Sequence, residues 1–182
     1  MLVIHPKDKT TDMLRALYNG LDARVLDQSS SNREVKDALN HASCQERILL
    51  LGHGSDKGLF SREDEDSEDF DRLIVNHSHT YYLRKHRGSI VGIWCHADIF
   101  ARKEGLHGLF SGMIITDKKE AEEYGVETTQ EELDRENEKL ACRLRELLDT
   151  CESLHMVPQR IRELDDVDSP LTRFNYSHFY SL

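Results

Sequence analysis

The apolar positions of this chain fall into two periodicities. Leu2-Val3-Ile4, Ala23-Arg24-Val25-Leu26, Ile48-Leu49-Leu50-Leu51 and Ile90-Val91-Gly92-Ile93 are short runs of strand length. The segments between the first three runs are spaced for helices. Thr11 predicts the cap of a helix whose Met13, Leu14, Leu17 and Leu21 share a face. The Ser29-Ser30-Ser31-Asn32 cluster breaks the chain and predicts a second helix through His41, with Val35, Ala38 and Leu39 facing inward. Strands alternating with helices across tight turns predict an α/β fold, a three-layer α/β/α arrangement on a mostly parallel sheet.

Beyond Gly54 the pattern loosens. Ser55 to Arg62 reads as loop, and Glu63-Asp64-Glu65-Asp66-Ser67-Glu68-Asp69 as a solvated acidic run. Phe70, Leu73, Ile74, His77, Tyr81 and Arg84 predict a helix that Gly88 ends. A short helix over 97–104 and a turn over Gly105 to Gly108 follow the Ile90 run. Met113-Ile114-Ile115-Thr116 then predicts a fifth strand with Asp117 at its carboxyl end, followed by a helical segment from Lys118 to Tyr124. Leu133, Leu140, Leu144, Leu147 and Leu148 predict a long helix near 129–148, opened by a capping box of Thr129 and Glu132. The tail, 158–182, carries Phe174, Tyr176, Phe179 and Tyr180 and reads either as an edge strand or as a docking segment.

Composition narrows the function classes. The 182 residues suit a single domain spanning 1–182. A net charge of -10 argues against nucleic acid as a partner, since no basic stripe is available for phosphates. No apolar stretch reaches the roughly 20 residues of a bilayer span, and the amino terminus shows no signal-peptide pattern, so no membrane partner is expected. Cys44, Cys95, Cys142 and Cys151 have no C-x-x-C spacing, which points to reduced thiols, no structural zinc and a cytoplasmic setting. His77 and His79 are too close in sequence for one helix face to present both to a metal. With no glycine-rich phosphate loop and no G-x-S-x-G elbow, no cofactor is expected.

The chemistry concentrates at two run ends. Leu51-Gly52-His53-Gly54 and Trp94-Cys95-His96-Ala97 each follow an apolar strand with a reactive side chain. In an open parallel sheet both side chains emerge at the carboxyl edge, where such folds place their sites. A thiol needs an imidazole or a helix amino terminus to raise its thiolate fraction near neutral pH. Gly54 lets backbone approach a substrate, and its N–H is suited to an oxyanion.

These motifs resemble the His-Gly and Cys signatures of caspase-like cysteine peptidases, the group of caspases, metacaspases, clostripain, gingipains and CHAT-type domains. The 42 positions from His53 to Cys95 are similar to the roughly 50 of caspases. The resemblance implies Cys95 as nucleophile, His53 as general acid/base and the Gly54 and Cys95 N–H groups as oxyanion hole. It implies amide hydrolysis of a peptide or protein substrate through an acyl-enzyme. Asp117 or Asp98 is then available to a basic substrate side chain. Trp94 and His96 replace the caspase flanks of the cysteine, and Ile93 stands where metacaspases have Asp. The alternative is a catalytically inactive caspase-like module that binds protein partners; the oligomeric state is open.

Overall fold

The computed structural model describes residues 1–62, 70 and 72–182, so the acidic run at 63–69 lies outside the described residues. Strand β1 (Leu2–Ile4) leads into a 3-10 helix (Lys9–Leu17), then β2 (Arg24–Leu26), helix α1 (Asn32–His41) and β3 (Ile48–Leu51). A small antiparallel sheet follows, made of β4 (Gly54–Ser55), β5 (Gly58–Ser61) and β6 (Arg72–Asn76). The chain continues through a one-turn 3-10 helix (His77–His79), α2 (Thr80–Leu83), β7 (Ile90–Ile93), α3 (Ala97–Glu104) and β8 (Gly108–Ser111). It ends with α4 (Lys118–Glu123), α5 (Gln130–Thr150), another 3-10 turn (Leu154–Met156), α6 (Val157–Glu163), α7 (Pro170–Ser177) and β9 (Phe179–Ser181).

The main sheet has the order β2-β1-β3-β7-β8-β9. All its neighbours pair in parallel except β9, which runs antiparallel along β8. Side chains alternate between faces with the strand period of two. Leu2, Ile4, Ile48, Leu50, Ile90 and Phe110 pack with Val35 and Leu39 of α1, Leu83 of α2 and Phe100 of α3. Val3, Leu49, Leu51, Val91, Ile93 and Leu109 pack with Leu14 and Leu17 of the first 3-10 helix, Leu140 and Leu144 of α5 and Ile161 of α6. Both faces of a largely parallel sheet are therefore covered by helices, as the apolar runs predict.

Local capping explains the helix starts. Ser31 accepts the Glu34 N–H and the Glu34 carboxylate accepts the Ser31 N–H, a complete capping box for α1. At α5, Thr129 accepts the Glu132 N–H, but the Glu132 carboxylate takes the Thr128 hydroxyl at 2.9 Å in place of the expected return bond. The first helix begins earlier than predicted: Asp8, not Thr11, caps it by accepting the Thr10 N–H.

Two predicted elements are corrected. The segment from Arg72 to Asn76 is strand, not helix, because it pairs antiparallel with β5, a partner that the loop expectation for 55–62 concealed. Leu73, Ile74 and Val75 suit either period in so short a run, and the pairing decides. The fifth strand is Gly108–Ser111 rather than Met113–Thr116. A Cβ on Gly108 would lie 2.1 Å from the Ile90 carbonyl oxygen, so glycine is required where β8 approaches β7. Met113 to Thr116 is apolar for a different reason. Ile114 enters the core of one sheet face, while Ile115 joins a separate cluster with Ala121, Leu133 and Leu171. Its backbone is satisfied by side chains: Asn175 Oδ1 accepts the Ile115 N–H at 2.8 Å, and the Asn137 and Asn175 amides donate to the Ile115 carbonyl. The tail is mostly helical, with Phe174 and Tyr176 on α7, and only Phe179 and Tyr180 lie in the edge strand β9.

No helix among the described residues is long and apolar enough to cross a membrane. Burial disfavours the charged form of three histidines, His5, His79 and His86. His5 and His79, 3% and 0% exposed, are each pushed down to about 4, chiefly by desolvation and secondly by Arg15 and Lys36 respectively. A histidine whose folded value is depressed contributes its stability above the unfolded value of about 6.5 and loses it as pH falls toward 4. Urea denaturation at steps from pH 7 to 4.5 is expected to show the unfolding free energy falling, by about 2 kcal/mol per histidine. A flat profile across that window contradicts the burial of neutral rings.

Candidate functional site

The parallel part of the sheet has the strand order β2-β1-β3-β7-β8, so the chain leaves β1 toward one edge and β3 toward the other. In open α/β sheets the crevice beyond the carboxyl ends at such a reversal is where ligands bind. The turns after β1 and β3, and the turn after the neighbouring β7, meet at this place. They carry Asp8 and Thr10, His53, and Cys95.

His53 and Cys95 line one small cleft with Thr11, Met13, Leu14, Gly52, Ile93, Trp94, Ile114 and Thr116. Its volume is about 20 Å³, room for about one water molecule. Beside it, sharing Met13 and Thr116, opens a pocket of about 530 Å³. That pocket is lined by Asp12, Asp117, Asp134 and Glu138 against a single cation, Lys9. Two of the sequence-predicted residues thus share one cleft, and Asp117 joins the adjoining pocket.

Cys95 stands at the junction of β7 and α3. The next residue, His96, takes a left-handed conformation with φ 67°, and the Ala97 N–H closes back on the Trp94 carbonyl at 3.1 Å. A non-glycine residue here costs about 1 kcal/mol, which the packing of Trp94 and Ala97 on either side offsets. Burial pushes the Cys95 thiol up to about 11, and the carboxylates of Glu120 and Asp117 add to it. The backbone around Ile114 and Cys95 acts in the opposite direction but is outweighed. The resting cysteine is a protonated thiol. No hydrogen bond joins its sulfur to the His53 ring among the described residues.

His53 is held elsewhere. Its Nε2 lies 2.6 Å from Thr10 Oγ1 and 3.3 Å from Asp8 Oδ1, and its ring packs against Phe70 at 5.1 Å between centroids. Arg62 Nη2 pairs with the other Asp8 oxygen at 2.9 Å, and its guanidinium lies over Phe70 at 4.5 Å. Asp8, with its side chain 11% exposed, is held well below the usual carboxylate range, first by the His53 hydrogen bond and then by the Thr10 hydroxyl and N–H.

Gly54 lies in β4, where the Trp94 ring packs against it. A Cβ there would sit 2.2 Å from Trp94 Cδ1, and the Trp94 indole N–H donates to the Ser55 carbonyl at 3.0 Å. Glycine is needed at 54 for this packing as well as for any approach of a ligand. Asp117 caps α4: its carboxylate accepts the Glu120 N–H, and the Glu120 carboxylate accepts the N–H groups of Thr116 and Asp117. Asp98 lies in the first turn of α3 against Arg102 at 3.8 Å and does not line the cleft or the acidic pocket.

Sequence reasoning missed Asp8, Thr10, Arg62 and Ile114. No sequence motif marks the first two: their place beside His53 follows from the β1–β3 pairing, which sets the polar turn after β1 next to the turn after β3. No group of three or more His, Cys, Asp or Glu among the described residues is arranged to hold a metal ion.

Alkylation by iodoacetamide, read site by site through peptide mapping, is expected to label exposed Cys44 and Cys142 at pH 7.5 well before Cys95. The Cys95 rate is expected to climb as pH rises toward 11. A Cys95 rate equal to that of Cys44, or independent of pH, contradicts the protonated, sheltered thiol. Comparison of the chain with protein-family models, with curated proteins and with solved structures finds no match.

Proposed function

We propose that the protein is a caspase-like cysteine peptidase that acts through Cys95 and His53 on a peptide chain beside a basic side chain. The observation that carries this function is the cleft itself. A thiol and an imidazole from the carboxyl ends of adjacent parallel strands line one small space next to a larger acidic pocket.

The chemistry runs as acyl transfer. A peptide seated in the acidic pocket brings its carbonyl carbon to the small cleft, and His53 takes the thiol proton as sulfur attacks. The carbon–sulfur bond forms, and the oxyanion is received by the N–H groups of Cys95 and Gly54. His53 returns the proton to the amide nitrogen as the carbon–nitrogen bond breaks, releasing an amine and leaving a thioester. Water attacks the thioester, giving its proton to His53, and the acid leaves as the thiol re-forms. A thiol of high resting pKa suits this base-coupled route, because deprotonation accompanies attack rather than preceding it. Asp12, Asp117, Asp134 and Glu138 supply the negative field that favours a lysine or arginine side chain. Asp98, turned to Arg102, is outside that field.

The same half-buried, protonated thiol favours a second function, a non-catalytic module that binds a cationic peptide segment in the acidic pocket. A peptide library varied at the residue before the cut separates the two. Cleavage after Lys or Arg at least about tenfold faster than after Asp or Glu, and lost in Cys95→Ala, is the expected outcome. Cleavage that survives Cys95→Ala, or no cleavage of any library member, contradicts the peptidase; binding of the basic peptides without turnover establishes the module.

A further inference from the structure

We infer that Asp8 is a positioning residue that fixes His53 as a base acting through Nδ1, with Thr10 as the second anchor. The inference deepens the peptidase function proposed above and rests on it for the direction of proton transfer.

The hydrogen-bond roles leave one assignment. Thr10 Oγ1 donates its single proton to Asp8 Oδ1 at 2.6 Å, so toward His53 Nε2, at 2.6 Å, it presents a lone pair. Asp8 Oδ1, at 3.3 Å from the same nitrogen, is a carboxylate oxygen and also an acceptor. A ring nitrogen facing two acceptors carries the hydrogen, and a neutral imidazole has only one. The proton therefore sits on Nε2, and the lone pair needed to take the thiol proton is on Nδ1.

Asp8 is built for this role rather than only for capping. Its Oδ1 receives the Thr10 N–H at 3.0 Å, the Thr10 hydroxyl and the imidazole, while Arg62 from the end of β5 grips Oδ2 at 2.9 Å. The carboxylate is thus oriented from β5 as well as from its own turn and remains ionised. When the ring becomes imidazolium on accepting the thiol proton, that fixed negative charge is already beside it. Phe70 against the imidazole face, itself stacked on Phe60 at 5.4 Å, holds the ring plane from another side.

The direct test reads the tautomer by long-range proton–nitrogen NMR on the nitrogen-15-labelled chain at alkaline pH, and needs no activity. The expected spectrum has a protonated Nε2 and an unprotonated Nδ1; a proton on Nδ1 overturns the inference. Asp8→Asn, which keeps an oxygen for the Thr10 N–H, is expected to mix the tautomers. Where peptide turnover is measured, the same variant is expected to lower kcat by about 100-fold with KM unchanged. Thr10→Val is expected to show a smaller loss that Thr10→Ser restores. An unchanged tautomer and kcat in Asp8→Asn overturns the positioning role. An Nε2–H ring in a chain without peptidase activity upholds the placement of Asp8 and rejects the peptidase function alone.

Discussion

The pairing of β1 with β3 is the constraint on which the site depends. Leu2, Val3 and Ile4 lie beside Ile48, Leu49 and Leu50 in parallel register, so two chain segments about 45 residues apart end at the same height. From there the chain diverges to opposite sheet edges, and the two turns meet through Thr10 and His53. The β3–β7 pairing, carried through Leu51 and Ile93, sets Cys95 beside that gap. Every strand involved is buried on both faces, so a slip of register would move an entire row of side chains to the wrong layer. The position of the thiol relative to the imidazole is therefore enforced by the core.

That core also dictates the chemistry. Apolar walls from Leu14, Ile93, Trp94 and Ile114 leave Cys95 only partly exposed and raise its pKa, which a peptidase with a preformed thiolate would not tolerate. The compensating elements are polar and lie one turn away. Asp8 and Thr10 hold the imidazole, and the Asn137–Asn175 pair, joined at 2.9 Å, holds the Ile115 backbone next to Ile114. Sheltering the thiol and anchoring the imidazole are two consequences of one arrangement; under the proposed peptidase function, reactivity is released only when a substrate occupies the adjoining pocket.

Much of this was legible in the residues. Apolar runs at 48–51 and 90–93 are what doubly covered parallel strands require, and the side chains that follow them are the ones at the cleft. The small sheet was illegible because β6 acquires its strand identity from β5, and the spacing of Phe70, Leu73, Ile74 and His77 matches a helix equally well. Met113 to Thr116 misled for a complementary reason: its apolar side chains serve two different cores, and its backbone partners are asparagine amides supplied from α5 and α7. Asp8 and Thr10 carry no motif. Their importance follows from strand order alone, which periodicity does not reveal.

The central claim is that Cys95 is activated by a docked substrate and by His53, not by a low resting pKa. The most direct measurement is covalent labelling by a short peptide ending in a lysyl chloromethyl ketone, with the modified cysteine mapped by mass spectrometry in wild type and in His53→Ala. The account predicts preferential labelling of Cys95 over Cys44 and Cys142, competed by a non-reactive lysyl peptide and lost in His53→Ala. Labelling of the exposed cysteines at least as fast as Cys95, with no dependence on His53, would contradict it.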